Sequence, residues 1–245
     1  MLKNYLNNSG YSKLSISIPT FNEEESIVKM INNCVSVLGD DPNCLELIIV
    51  NDCSTDNTEE LSNELSRKFK SVRLLNNTSN IGCHPSQIQG WNNATGDLLY
   101  VLPSDNQIPP DSIFSIINQM KNNDVIWTNR YLRKDNFFRK LISFLYNFVS
   151  KNLFKIYSSD IDSAVMISSG KYKILKKHID SKSAFIQVQI GFISSLMNFR
   201  QTEVDIDHIE REFGTAKGLN LHDIIWVPKE LIRLLRQKKE ILKNI

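Results

Sequence analysis

An α/β fold built on one mostly parallel sheet is predicted by three observations. Up to about residue 128, short apolar runs alternate with amphipathic segments across short connections, which implies βαβ units. The runs are continuous rather than alternating, as in strands covered on both faces. Polar, turn-forming residues follow several runs, at the strand ends where an open α/β sheet holds ligands. The 245 residues suffice for one large domain with a well-buried core. With 29 Lys+Arg against 27 Asp+Glu, the net charge of +2 argues against a dedicated nucleic-acid binder.

The elements follow in order. Residues 14–18 begin the sheet. A helix is predicted over 23–37, with Ile27, Met30, Ile31, Cys34 and Val35 on one face and Glu23, Glu24 and Glu25 at its positive end. Strands at 45–50, 72–75 and 98–102 alternate with helices at 56–69, 84–94 and 110–120, and a strand over 125–127 completes this half. After Asn129 the alternation stops. Residues 137–156 carry Phe138, Leu141, Ile142, Leu145, Phe148 and Val149 at helical spacing, interrupted by Arg139, Lys140, Lys151 and Lys155, which fits a core-packed helix or one lying in a membrane interface. A strand over 164–168, a helix over 185–197 and a strand over 199–206 follow.

Residues 1–220 read as one domain and 221–245 as a basic amphipathic tail. The tail carries Trp226, Leu231, Ile232, Leu234 and Leu235 beside Lys229, Arg233, Arg236, Lys238, Lys239 and Lys243. Such a helix binds anionic lipid or packs on its own domain or a partner. No stretch of about 18 uncharged apolar residues exists, so no membrane span is expected. The N-terminus lacks the apolar core of a signal peptide. Cys34, Cys44, Cys53 and Cys83 show no C-x-x-C spacing and read as reduced thiols.

The chemistry gathers at strand ends. Leu102-Pro103-Ser104-Asp105-Asn106-Gln107-Ile108-Pro109-Pro110 places a carboxylate and an amide after an apolar strand; if the segment is extended, Asp105 and Gln107 fall on one side and suit a hard metal or a sugar phosphate. The plainer reading is a polar loop with Asp111 or Ser112 capping the next helix. The first strand runs into Pro19-Thr20-Phe21-Asn22-Glu23, and the second into Asn51-Asp52-Cys53-Ser54-Thr55-Asp56-Asn57-Thr58. Asp52 is suited to accept hydrogen bonds from a base or ribose and Thr20 to hold polar edges, whereas Asp56 reads as a helix N-cap.

Taken in order, Ile18-Pro19-Thr20-Phe21-Asn22-Glu23, Val50-Asn51-Asp52-Cys53-Ser54-Thr55-Asp56-Asn57-Thr58, and Asn80-Ile81-Gly82 with Gly90 and Gly96-Asp97 resemble glycosyltransferase family 2, with the GT-A fold, in the branch of dolichol-phosphate mannosyltransferases and bacterial polyprenyl-phosphate glycosyltransferases. The resemblance covers about residues 14–218. It implies a nucleotide-sugar pocket lined by Pro19, Thr20, Asn22, Glu23, Asp52, Gly82, Ser104 and Asp105. The 103–110 segment falls where the family carries Asp-Ala-Asp-Leu-Gln-His-Pro-Pro, which implies Mg²⁺ or Mn²⁺ on Asp105 and Gln107. Pro103 replaces the first carboxylate, so the metal is expected to enter with the nucleotide sugar.

Arg130, Arg139, Ser163, Arg211 and Lys217 match family positions and are candidates for donor and acceptor phosphates, while Asp162, Ala164, Val165 and Ala216 depart from the pattern. Asp105, Asp160 and Arg130 are the implied catalytic residues. The expected reaction is inverting transfer from a UDP- or GDP-sugar to a polyprenyl phosphate lipid, peripherally at the cytoplasmic membrane face. Only glutamines, Gln187 and Gln189, occupy the region where hydroxyl-directed relatives carry an acidic base, which favours the phosphate acceptor. Transfer to a sugar hydroxyl in surface polysaccharide, with Asp160 or Asp162 as base, and a catalytically weak scaffold remain as alternatives. No G-x-G-x-x-G follows a strand, against dinucleotide oxidoreduction.

Overall fold

The computed structural model describes residues 1–131, 151–152, 154–181, 183, 185–210, 230, 232–238 and 241. Most of the predicted 137–156 helix, together with Arg139, Arg211 and Lys217, lies outside the described residues.

Seven strands form one sheet: β1 (Leu14–Thr20), β2 (Leu45–Asn51), β3 (Val72–Asn76), β4 (Leu98–Val101), β5 (Val125–Tyr131), β6 (Val165–Ser168) and β7 (Gln201–Asp207), in the order β3-β2-β1-β4-β6-β5-β7. All neighbours are parallel except β6, which runs antiparallel to both β4 and β5. The predicted α/β class and mostly parallel sheet are therefore observed. β1, β2 and β4 are buried along their whole length, as their unbroken apolar runs require.

The connecting helices are α2 (Ile27–Leu38), α3 (Thr58–Lys68), α4 (Cys83–Asn92) and α5 (Ser112–Gln119). α2 buries Ile27, Met30, Ile31, Cys34 and Leu38, the face its spacing predicts. It starts four residues later than expected, because Glu23 is spent on a turn: its carbonyl accepts the Ser26 and Ile27 N–H groups. α4 lies close on β1. A Cβ at Gly90 would sit 2.1 Å from Ser17 Oγ, so only glycine allows this approach.

Two short helices were not expected. α1 (Leu2–Asn8) buries Leu2 and Leu6 and stacks Tyr5 on Phe114 of α5, with ring centroids 4.7 Å apart. α6 (Ser169–Leu175) follows β6, and α7 (Phe185–Leu196) is buried through ten consecutive residues. In the tail, Leu234 and Ile241 are buried, Gln237 Oε1 accepts from Gln189 Nε2 of α7 at 2.9 Å, and Arg233 lies 3.3 Å from Asp180. One face of helical residues 232–238 thus packs on the chain's own domain, while Ile232 and Leu235 remain exposed.

Within the core a polar network is fully engaged. Glu46 on β2 is buried; its Oε2 accepts from Ser15 Oγ at 2.5 Å and Thr95 N at 2.9 Å, and Oε1 pairs with Arg73. Against desolvation, these partners hold its carboxyl below the ordinary range.

Candidate functional site

The first two strand ends are laced together by small polar side chains. Asn22 sits at φ 52°; its N–H donates to Ser54 Oγ at 3.0 Å and its Oδ1 accepts from Thr55 N at 2.8 Å. Asparagine tolerates this left-handed backbone because its short amide finds local partners. Glu23 N donates to Thr58 Oγ1 at 2.8 Å, and Glu24 Oε2 accepts from Asn57 N at 2.9 Å. Asp56 takes Thr58 N at 3.0 Å, as a capping side chain does, although Asn57 occupies the N-cap position. Its second oxygen accepts Glu24 N at 3.3 Å, and against desolvation these bonds lower its pKa.

Ser26, which the sequence does not single out, joins the other motifs: its hydroxyl donates to Glu23 Oε2 at 2.7 Å and lies 3.1 Å from the Ser104 carbonyl. Pro19 is buried within β1, and the Thr20 hydroxyl turns back to the Ile18 carbonyl at 3.0 Å. Neither side chain presents a polar edge outward. Their part is to shape the strand end.

Asp52 is 2% exposed. Oδ1 accepts Asn77 Nδ2 and Ile81 N, each at 2.9 Å, and Oδ2 accepts Gly82 N at 2.7 Å. Gly82, at φ 95°, is the N-cap of α4, so Asp52 fastens the 77–82 loop to the end of β2 and sets a negative charge on the positive end of α4. The same Asn77 Nδ2 also donates to Ser86 Oγ at 3.0 Å.

The Asp105 segment is a turn, not the extended stretch expected. Asn106 has φ 61°, and Gln107 N donates to Asp105 Oδ1 at 3.2 Å. This breaks the alternation that would put Asp105 and Gln107 on one side. Gln107 instead reaches residue 209: its Nε2 donates to the Ile209 carbonyl at 3.1 Å, and its own carbonyl accepts Ile209 N at 2.9 Å. Asp111 is the N-cap of α5 but makes no side-chain capping bond, and Ser112 Oγ donates to the Pro109 carbonyl at 2.6 Å.

A cavity of about 250 Å³ opens beside this turn, lined by Lys29, Asn33, Asp105, Pro109, Ile209 and Glu210 among others. Cys83, at the start of α4, is exposed as a residue, and yet its thiol is pushed up to about 12, by desolvation first and then by Asp162, Asp105 and Asp52. Two carboxylates reach the start of α4 directly, Asp52 through the Gly82 N–H and Asp162 through His84. Beside it, His84 Nε2 lies 3.3 Å from Asp162 Oδ1.

On the other half of the sheet, Arg130 at the end of β5 grips Asp160. Nε donates to Oδ2 at 2.7 Å and Nη2 to Oδ1 at 2.9 Å, a bidentate and largely buried pair. Ser163 Oγ is buried 2.6 Å from Thr128 Oγ1 and stabilises the same turn. Both expected catalytic groups of this half are thus engaged with each other.

The sheet order, with one antiparallel strand between β4 and β5 and polar loops at the strand ends, is that of the GT-A glycosyltransferases. The chain belongs to glycosyl transferase family 2, whose profile matches residues 15–183. It is 31% identical over 220 residues to the undecaprenyl-phosphate 4-deoxy-4-formamido-L-arabinose transferases of Yersinia pestis (strain Pestoides F) and Yersinia pseudotuberculosis serotype IB (strain PB1/+). The match takes in 86% of this chain and 64% of the length of each of those relatives.

Among solved structures, glucosyl-3-phosphoglycerate synthase from Mycobacterium tuberculosis, in complex with Mn²⁺, UDP and glucosyl-3-phosphoglycerate, superposes with a TM-score of 0.68 at 13% identity, over 97% of this chain and 84% of that one. Mannosyltransferase PcManGT from Pyrobaculum calidifontis, with GDP-Man and Mn²⁺, gives 0.56 at 14% identity, over 84% and 58%. At these identities the likeness is one of fold.

Proposed function

We propose that this chain is an inverting glycosyltransferase that moves a sugar from a UDP- or GDP-sugar to a polyprenyl phosphate at the cytoplasmic face of a membrane. The observation that carries this reading is the set of acidic side chains that the strand-end loops present, Asp52 on the Gly82 N–H and Asp162 3.3 Å from His84 at the start of α4, with Asp105 lining the cavity after β4, in a chain of this family. A carboxylate so placed suits a cation held jointly with diphosphate oxygens.

Among the described residues, no three His, Cys, Asp or Glu side chains are grouped closely enough to hold a metal ion. With Gln107 turned to Ile209, Asp105 would hold Mg²⁺ or Mn²⁺ only if diphosphate oxygens and water complete the shell. When bound, such a cation neutralises charge developing on the leaving diphosphate. The chain's own residues do the rest. Asp52 fixes the 77–82 loop, the Asn22–Thr55 lacing shapes the nucleotide side, and Asp160 holds the Arg130 guanidinium in one orientation toward anionic groups.

A phosphate acceptor is already an anion and needs no base. In agreement, Gln187 is bonded to Gln87 at 3.1 Å within the core, Gln189 Oε1 accepts Ser181 N at 2.9 Å, and both Asp160 oxygens are held by Arg130. Relatives whose names specify undecaprenyl phosphate support the same acceptor class. Transfer to a sugar hydroxyl is the second reading, favoured by Asp162, whose half-exposed carboxylate beside His84 is placed to take a proton.

Membrane attachment through residues 232–238 is supported by exposed Ile232 and Leu235 beside exposed Arg236. Among the described residues, no helix is long and apolar enough to cross a membrane.

Incubating the purified chain with labelled UDP- and GDP-sugars, a divalent cation and polyprenyl phosphate tests the proposal. Labelled lipid that disappears in Asp105→Ala is the expected result. Label on a sugar hydroxyl acceptor alone would establish the second reading, and no turnover in either arm would leave a scaffold.

A further inference from the structure

The end of α6 is basic and open to solvent. Tyr172 and Leu175, at i and i+3, are buried and define the inner face of this helix. The Lys176 N–H still bonds the Tyr172 carbonyl at 2.8 Å, which carries the helical turn past Leu175 and leaves Lys173, Ile174 and Lys177 on the opposite side. Lys176 is exposed beside them, and from Ser163 to Ile179 the chain has no Asp or Glu. Among the described residues, none of these three lysines is paired with an acid. A helix C-terminus favours cations through its dipole, but the dipole does not account for Ile174, 41% exposed among them. The tail helix lands next to this stretch. Gln237 Nε2 donates to the His178 carbonyl, one residue beyond Lys177, and Arg233 occupies both nearby acids, Asp180 at 3.3 Å and Glu230 at 2.6 Å. Leu234 and Ile241 face the domain, which turns Ile232, Leu235 and Arg236 outward at i, i+3 and i+4. Two elements distant in sequence thus meet at His178, each with exposed aliphatic and cationic groups.

We propose that Lys173, Ile174, Lys176 and Lys177 form, with the outer face of residues 232–238, one docking surface for an anionic lipid bilayer. This rests on the membrane attachment given under Proposed function and adds a second contact to it. Charge complementarity selects the partner: the unpaired cations meet phosphate headgroups, while Ile174, Ile232 and Leu235 reach the acyl boundary beneath them. Lysine suits such a surface, since its long stem lies along apolar ground and its ammonium stays with water and phosphate. None of the exposed groups is an aromatic ring on which a nucleic-acid base would stack. Two contacts, unlike one, fix the orientation of the domain on the membrane.

Sedimentation of the whole chain with vesicles of phosphatidylcholine, alone or mixed with phosphatidylglycerol, tests this. Binding is expected only to the mixed vesicles, and it should weaken as salt rises. Each lysine near an anionic bilayer strengthens binding about fivefold, so Lys173→Gln, Lys176→Gln and Lys177→Gln together should weaken it roughly a hundredfold and flatten the salt dependence. Arginine at the same three positions should keep the wild-type affinity. All three side chains are exposed, so circular dichroism should show the fold unchanged.

Unaltered binding by the glutamine variant overturns the proposal, and loss of binding in Ile232→Ser with Leu235→Ser then leaves attachment to the tail alone. Equal binding to both kinds of vesicle refutes the charge argument. A wild type that binds neither removes the membrane attachment as well, while labelled transfer to polyprenyl phosphate in detergent reads the transferase function separately. Lysine-dependent dimerisation in place of vesicle binding overturns the lipid assignment and gives the face to a second copy of the chain.

Discussion

Replacing Asp52 by asparagine separates two roles that the sequence alone merges. A carboxylate here accepts three N–H groups, two on Oδ1 and one on Oδ2. Asparagine has one acceptor oxygen, so at best it keeps the Asn77 and Ile81 bonds and turns an NH₂ group toward the Gly82 N–H. One charge-assisted bond is lost, about 1.5–3 kcal/mol, and the two survivors lose their charge. The negative charge at the start of α4 goes too, about 0.3–1 kcal/mol. The site is 2% exposed, so water cannot easily replace the lost partner. Asp52→Asn should therefore destabilise the fold by roughly 2–4 kcal/mol, read as a lower urea midpoint at unchanged slope. UDP or GDP binding, measured by calorimetry, should weaken with it because the 77–82 loop is no longer held. If the midpoint moves by less than about 0.5 kcal/mol while binding disappears, Asp52 touches the nucleotide directly and its bracing role is refuted.

Two further outcomes follow from the core. Gly90→Ala drives a Cβ to 2.1 Å from Ser17 Oγ and 2.7 Å from Ser17 Cβ. A loss of about 1–3 kcal/mol is expected in thermal unfolding, most of it recovered by adding Ser17→Gly, because both nearest atoms belong to Ser17; a neutral single substitution would contradict the close packing of α4 on β1. Glu46, whose folded pKa is lowered, stabilises the fold above its unfolded value and ceases to do so as pH falls through the folded one. Urea midpoints should drop below about pH 4.3, and Glu46→Gln should flatten that acid limb while costing about 1.5–3 kcal/mol at neutral pH; an unchanged limb would count against it.

The sheet was legible because its strands are unbroken apolar runs, and the strand ends because their polar residues have no place inside. The details that failed are those in which short-range chemistry overrides periodicity. Asn106 is one of them: an Asp-Asn pair after a strand signals left-handed backbone, and that signal argues for the turn that displaced Gln107. α1 and α6 are each seven residues long, too short for a clear period, although Leu2 and Leu6 at i,i+4 were a trace of the first.

The Arg130–Asp160 pair was beyond reach for a different reason. Its partners meet only because β6 runs antiparallel beside β5, and nothing local specifies that pairing. Asp52 was noticed at the right place, but its donors, Asn77 and the Ile81 and Gly82 amides, belong to a loop whose approach is a tertiary fact.

The position of β6 has a mechanical meaning as well. Asp52 and Asp105 belong to the bank of the sheet formed by β3, β2, β1 and β4, whereas Arg130 and Asp160 belong to the bank formed by β6, β5 and β7. In the sheet the two banks are joined by three residue pairs, Leu98–Ser168, Leu99–Ile167 and Tyr100–Met166. Within the sheet, the spacing between the bank that carries the carboxylates and the bank that carries the guanidinium is therefore set by this short seam, in which Leu98, Leu99, Tyr100, Met166 and Ile167 are buried. A change of volume at Met166 or Tyr100 should alter that spacing while leaving Asp52, Asp105, Arg130 and Asp160 themselves unsubstituted.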